Sequence, residues 1–278
     1  MRTTRAFIFV LAAFAILPAC AQTPLVGTGS SYSSIFAPAD SVTYDVPGGG
    51  LLSITLDDGS TTVSSGLWDL TAQGGANATI LLSLTESAAQ TALTGTDLQF
   101  NISNDNDSLL GLLSGGTSVH YAWEAVAYFD TPGSLLNFAA DTIYNVSFDV
   151  DGNNGLLSSV AGLTPSFTFE LVDGLGNALT SDSSGTLINI AGLLGTGVPT
   201  GTIDLNYTLG SSIPSGQIGV RFRGDALAGA TALSLGTTFA TISNLNITST
   251  PVPEPGGSVL IISAGLMMIL SRKRLLSL

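Results

Sequence analysis

Short runs in which apolar and polar residues alternate recur along the middle of the chain. Val42, Tyr44 and Val46 share one face against Thr43 and Asp45, and Leu52, Ile54 and Leu56 flank Ser53 and Thr55. The same pattern returns in Leu98–Ile102, Tyr144–Val150, Phe167–Leu171, Ile203–Tyr207 and Ile218–Phe222. A period of two sends successive side chains to opposite faces of a strand, so each run predicts a strand with one buried and one wet face. The longest run places Val119, Tyr121, Trp123, Ala125, Ala127 and Phe129 on one face, with His120, Glu124, Val126, Tyr128 and Asp130 on the other. From Phe239 to Thr248 the alternation changes parity near Ser243-Asn244, which predicts a β-bulge.

Clusters of Gly, Ser, Thr, Asn and Asp separate these runs, as turns require. One segment, Leu84–Thr94, reads as helix, and repeated Leu-Leu pairs such as Leu109-Leu110 and Leu156-Leu157 follow no fixed period. About ten strands, each with one apolar face, are satisfied by two packed sheets. The expected fold is therefore all-β, a jelly-roll-like antiparallel β-sandwich. The late strands, with Arg221-Phe222-Arg223 and then Ile242–Ile247, show a general likeness to those of carbohydrate-binding-module sandwiches.

The two ends of the chain have another character. Arg2 and Arg5 precede the apolar run Ala6–Leu17, which is 12 residues long and too short to span a bilayer comfortably. Pro18 then breaks the run, and Ala19-Cys20-Ala21 offers the small residues that a signal peptidase reads. Residues 1–21 thus read as a signal peptide for the Sec translocon, cut after Ala21. Leu17-Pro18-Ala19-Cys20 alternatively resembles a bacterial lipobox, in which Cys20 carries lipid. At the other end, Pro251-Val252-Pro253-Glu254-Pro255 forbids helix, and the uncharged run Gly256–Ser271 follows it. As a helix those 16 residues reach about 24 Å, which Leu275, Leu276 and the long basic side chains extend toward a membrane span. Arg272, Lys273 and Arg274 close the run and mark its cytoplasmic side.

Val252-Pro253-Glu254-Pro255, the short apolar helix with Gly265 and the basic stop together resemble the PEP-CTERM sorting domain of Gram-negative bacteria. Leu275–Leu278 run past the point where that family usually ends. The resemblance implies an exosortase as partner. That membrane enzyme would remove the tail at the motif and route the exported body to the cell surface or the exopolysaccharide matrix. The implied division is a signal peptide over 1–21, a sandwich body over 22–248, a linker with the motif over 249–255, and a transmembrane helix with basic tail over 256–278.

Removing both ends changes the charge. The whole chain of 278 residues has a formal charge of −13, but residues 22–252 hold nineteen acidic residues against two arginines, or −17. Such a body is no partner for nucleic acid, whose affinity comes mainly from Lys and Arg. With one Cys and one His in the chain, no disulfide within the chain and no multi-cysteine metal site can form.

Few candidates for chemistry remain. Asp149, Asp151 and Asn153 carry oxygens on a Gly-bearing turn, which suits calcium or simply turn geometry. Asn104-Asp105-Asn106-Asp107 has the same two readings. His120 and Glu124 share a strand face, yet their α-carbons lie about 13 Å apart, too far for a dyad. No Gly-x-Ser-x-Gly elbow is present. Trp123 falls on an apolar face and reads as core. Trp68, beside Asp69 in a Gly/Ser-rich setting, is the candidate for stacking on a sugar ring. Arg221 and Arg223 share a face and are expected in ion pairs. The expectation is a non-enzymatic exported protein associated with exopolysaccharide or biofilm. The alternatives are a calcium-dependent carbohydrate-binding module and a polysaccharide-degrading enzyme.

Overall fold

A computed structural model describes residues 21–46, 54–78, 87–104, 118–131, 134–152, 164–179, 200–214, 216–229 and 237–252. Most of the signal segment, with Ala19, lies outside the described residues. So do Asn153, Asp105–Asp107, Pro253, Glu254, Pro255 and the Arg272, Lys273, Arg274 cluster. The strands are β1 (Thr23–Val26), β2 (Asp40–Val46), β3 (Ile54–Ser65), β4 (Trp68–Ala78), β5 (Ser87–Leu93), β6 (Leu98–Asn104), β7 (Ser118–Tyr128), β8 (Asp130–Thr131), β9 (Ser134–Leu135), β10 (Thr142–Gly152), β11 (Thr164–Val172), β12 (Gly201–Leu209), β13 (Gly219–Gly229) and β14 (Thr237–Pro251).

They form two antiparallel sheets. One is seven-stranded, in the order β12-β10-β14-β6-β5-β2, with β1 beside β6 on the same edge of β14. The other is five-stranded, in the order β11-β13-β7-β4-β3, and β8 and β9 make a small hairpin. From β10 to β14 the chain changes sheet at every step. Alternation is visible in burial: Tyr144, Val146, Phe148 and Val150 of β10 are buried, while Ile143, Asn145, Ser147 and Asp149 are partly exposed.

The inward faces meet through aromatic rings. Phe148 of the larger sheet packs at 4.8 Å from Phe169 and, edge-on, at 5.2 Å from Phe222 of the smaller. Trp123 stacks on Phe239 at 4.8 Å, and its indole N–H donates to the Asn101 carbonyl at 3.0 Å. Gly224 lies directly opposite Trp123, and its lack of a side chain gives the indole room. The alternation of β14 inverts across the bulge expected at Ser243-Asn244. Ser147 pairs with Asn246 but Asp149 with Ser243, and Asn244 has a φ of +53°. Asparagine tolerates that left-handed conformation better than most residues. Ile242 and Leu245 therefore both point inward.

Two boundaries differ from the sequence reading. Leu84–Thr94 is not helical where it is described, because Ser87–Leu93 is strand β5. Its Ala-rich composition favours helix locally, but pairing to both β2 and β6 overrides that preference. The Thr91 hydroxyl also donates to the Thr71 carbonyl of β4, tying the two sheets at 2.7 Å. The expected linker is shorter at its start. Ser249, Thr250 and Pro251 still pair with β10, so the sheet continues to one residue before Val252.

Candidate functional site

The outward face of the five-stranded sheet gathers the body's cations. Arg221, Arg223 and Asp225 of β13 alternate with the buried Phe222 and Gly224, so all three stand on the outer side. Register does the rest. Arg223 lies opposite Glu124 of β7 and Thr168 of β11, and Glu124 lies opposite Thr71 of β4, which faces Thr62 of β3. One polar row thus crosses all five strands. In the neighbouring row Glu170 faces Arg221 and Asp69 faces Ser64, whose hydroxyl donates to the Asp69 carboxylate at 2.5 Å.

Arg221 donates to Glu170 and, through Nη1, to the Gly176 carbonyl at 3.2 Å. Arg223 donates to Glu124 and approaches the same Glu170 carboxylate oxygen to 3.8 Å. The pairing expected for both arginines is present. The two pairs differ in burial: the Arg221 and Glu170 side chains are 15% and 12% exposed, those of Arg223 and Glu124 45% and 33%. The Nε2 of His120 meets Asp225 Oδ2 of the adjacent strand at 2.7 Å. Above these residues lies a depression of about 430 Å³, bordered by Thr71, Gln73, Glu124, Thr168, Arg223 and Asp225.

The outer face of the larger sheet is built from amides and hydroxyls. A depression of about 250 Å³ there is bordered by Gln22, Asn145, Ser147, Asp204, Asn206 and Asn246. Asp149 and Asp151 stand on this face. Asp149 accepts from the Thr202 hydroxyl at 2.6 Å and from the Asn244 amide at 2.7 Å, which hold its carboxyl below the usual range. Asp151 accepts from Thr200 at 3.1 Å. Among the described residues no group of three or more His, Cys, Asp or Glu side chains is placed to hold a metal ion.

Trp68 requires a correction. It is 1% exposed, stacks on Phe36 and donates its indole N–H to the Ile35 carbonyl at 2.5 Å. The segment 27–39, which carries no alternation, covers it, so Trp68 is core and offers no ring to a ligand.

A feature that the sequence reading missed is the turn after β11. Asp173 is buried, yet accepts from the N–H groups of Leu175 and Asn177 at 3.0 and 2.8 Å and from the Asn177 amide at 3.0 Å. Burial pushes its carboxyl up, but these hydrogen bonds outweigh it and hold the group below its ordinary 3.8. The Asp173–Leu175 bond is an Asx turn, and the Asp173-Gly174 pair is the one signal that could have found it.

The ends of the body lie together. Thr23 pairs with Ser249, and the Gln22 amide donates to the Thr248 hydroxyl at 2.5 Å. Val252 donates its N–H to the Asp141 carbonyl at 2.7 Å, and Asp141, at a φ of +48°, donates to the Gly210 carbonyl at 3.1 Å. Because β1 and β14 are antiparallel, the start of one and the end of the other leave the sheet at the same end of the sandwich.

No protein-family model matches this chain, and no curated protein does. A solved structure of infectious bursal disease virus Gt strain aligns at 14% identity, covering 84% of this chain and 55% of its own length, with a TM-score of 0.18. A score that low carries no assignment of fold or function.

Proposed function

We propose that the chain is an exported surface or matrix protein of a Gram-negative bacterium, delivered by its signal peptide and sorted by an exosortase at Val252-Pro253-Glu254-Pro255. Its body is a non-enzymatic, jelly-roll-like sandwich that meets exopolysaccharide with two polar outer faces.

The observation that carries this reading is the meeting of the chain ends. A signal peptide and a C-terminal helix inserted in one membrane, with the body on the far side, both have to attach at the membrane-facing end of that body. The Thr23–Ser249 pairing and the Val252 hydrogen bond to Asp141 supply that arrangement. The outer faces support the second half of the reading. Hydroxyls, amides and paired charges there offer donors and acceptors in the density that sugar hydroxyls use, on a body whose charge keeps it soluble. The test replaces Pro253, Glu254 and Pro255 with alanine in the native host, followed by cell fractionation. The variant is expected to stay in the membrane with its tail attached. Unchanged tail removal and surface display would sink the sorting claim.

A further inference from the structure

Two large apolar side chains stand exposed among the described residues, Leu175 at 73% and Ile213 at 53%. Their loops touch. A Cβ added to Gly174 would sit 2.9 Å from the Gln217 nitrogen and 3.3 Å from the Gly216 α-carbon, so the backbones are in contact. The loop of Ile213 leaves β12 at Gly210, whose carbonyl accepts from Asp141, which in turn accepts from Val252. The exposed leucine and isoleucine thus belong to the end of the sandwich from which Gln22 and Val252 depart.

Leu175 is held in place firmly. The Asp173 carboxylate fixes the N–H groups on either side of the tip, and Arg221 binds the Gly176 carbonyl from the sheet face. An apolar tip held outward by a buried carboxylate and a guanidinium differs from a leucine stranded on a loose loop. The two loops, 174–179 and 210–218, contain no charged residue, although the body carries −17. Asp141, whose side chain is exposed, lies beside them.

The chain sets the distance to the membrane. Four residue steps separate Val252 from Gly256, where the apolar run begins. At most about 3.6 Å per residue, the body's end stays within roughly 14 Å of that point. With the proposed tail helix in the membrane, that span holds this end of the body near the headgroup layer.

We infer that Leu175 and Ile213 are a membrane-contact site: before tail removal, this end of the sandwich rests on the lipid surface and inserts both side chains at the headgroup boundary. The inference rests on the proposed membrane attachment of the tail. Apolar side chains of interfacial segments bury about 5–10 Å into that boundary, and an uncharged tip avoids the repulsion that the acidic faces meet at anionic lipid.

The test uses the full chain carrying Cys20→Ser, reconstituted into phosphatidylethanolamine–phosphatidylglycerol vesicles that contain nitroxide-labelled lipid. Single cysteines at Leu175→Cys, Ile213→Cys and, on the exposed flank of β3, Ser60→Cys carry an environment-sensitive fluorophore. The labels at 175 and 213 are expected to shift to the blue and to be quenched by the lipid nitroxide, while the label at 60 keeps its aqueous emission and is not quenched. If the chain floats with the vesicles but all three labels behave alike, the contact site is overturned and the tail anchor stands. A blue shift without nitroxide quenching overturns it in favour of a protein contact. A chain that does not float with the vesicles overturns the tail anchor and the contact site together.

Discussion

The Arg221–Glu170 pair allows a test of how burial sets the worth of a charge. Replacing Glu170 with leucine removes the main partner of a guanidinium that is only 15% exposed, leaving it the Gly176 carbonyl. Removing one member of a buried pair costs about 3–5 kcal/mol. The remaining carbonyl bond and the residual exposure reduce that to about 3 kcal/mol here. For a body of this size such a loss lowers Tm by about 6–12 °C. Arg221→Met costs less, about 1–2 kcal/mol, because Glu170 keeps Arg223 at 3.8 Å. The double variant Glu170→Leu with Arg221→Met should fall within about 1 kcal/mol of the parent, since apolar groups of similar volume replace buried ion pairs at little cost. The coupling in this cycle is therefore about 3–5 kcal/mol. The same cycle on Glu124 and Arg223, whose side chains are 33% and 45% exposed, should give only about 0.2–1 kcal/mol. Urea unfolding of the six variants against the parent, with the denaturant slope unchanged, measures all of these. Equal couplings for the two pairs, or single losses that simply add in the Glu170–Arg221 cycle, would refute the argument from burial.

Three further outcomes are expected. Asp173→Ala should destabilise by about 1–3 kcal/mol at neutral pH, because three donors lose a carboxylate acceptor. The folded carboxyl titrates below its ordinary 3.8, so this contribution is complete above 3.8 and is lost as pH falls through the lower folded value; urea midpoints of parent and variant should converge only below pH 4, and convergence at pH 5–6 would contradict the assignment. Gly224→Ala places a methyl 2.9 Å from Trp123 Cε3 and 3.1 Å from Phe100 Cδ2, and thermal unfolding should register about 1–3 kcal/mol of overpacking. Trp68→Ala should cost about 3–5 kcal/mol in a urea titration as a core residue; a near-neutral effect would return Trp68 to the surface.

What was legible in the sequence follows from what alternation can encode. It fixes which side of a strand a residue occupies, so the inward rows of β10 and β11 and the parity change in β14 were readable. It fails where inward positions are small. In β4 the buried face below Trp68 and Leu70 is Ala72 and Gly74, which carry little hydropathy contrast with Thr71 and Gln73. Strand β5 was misread for a related reason, since Ala88 and Ala89 are strong helix formers whose fate is decided by strands distant in the chain. Trp68 was misjudged because its cover, Ile35 and Phe36, comes from a segment without period. Parity put Arg221 and Arg223 on one face, and the excess of acidic residues predicted that both would be ion-paired. Which ones is a matter of register, and register lies in pairings between residues 51 and 99 positions apart.

The distribution of charge bears on the proposed export. The body's two arginines are both used across the middle of one sheet, each held by a glutamate, and Arg221 reaches over to brace the loop of Leu175. At the end where that loop lies, the segments 174–179 and 210–218 carry no charged residue, and the two ends of the body leave there on paired strands. A uniform spread of nineteen acids would have placed carboxylates on every turn; here the acid in the Leu175 turn, Asp173, is folded inward and saturated with donors. That inward carboxylate stiffens the loop while removing its charge from the surface. The sandwich therefore has two kinds of exterior, hydrogen-bonding sheet faces and an end that presents two apolar side chains; under the proposed export the first would meet hydrated polysaccharide and the second the membrane.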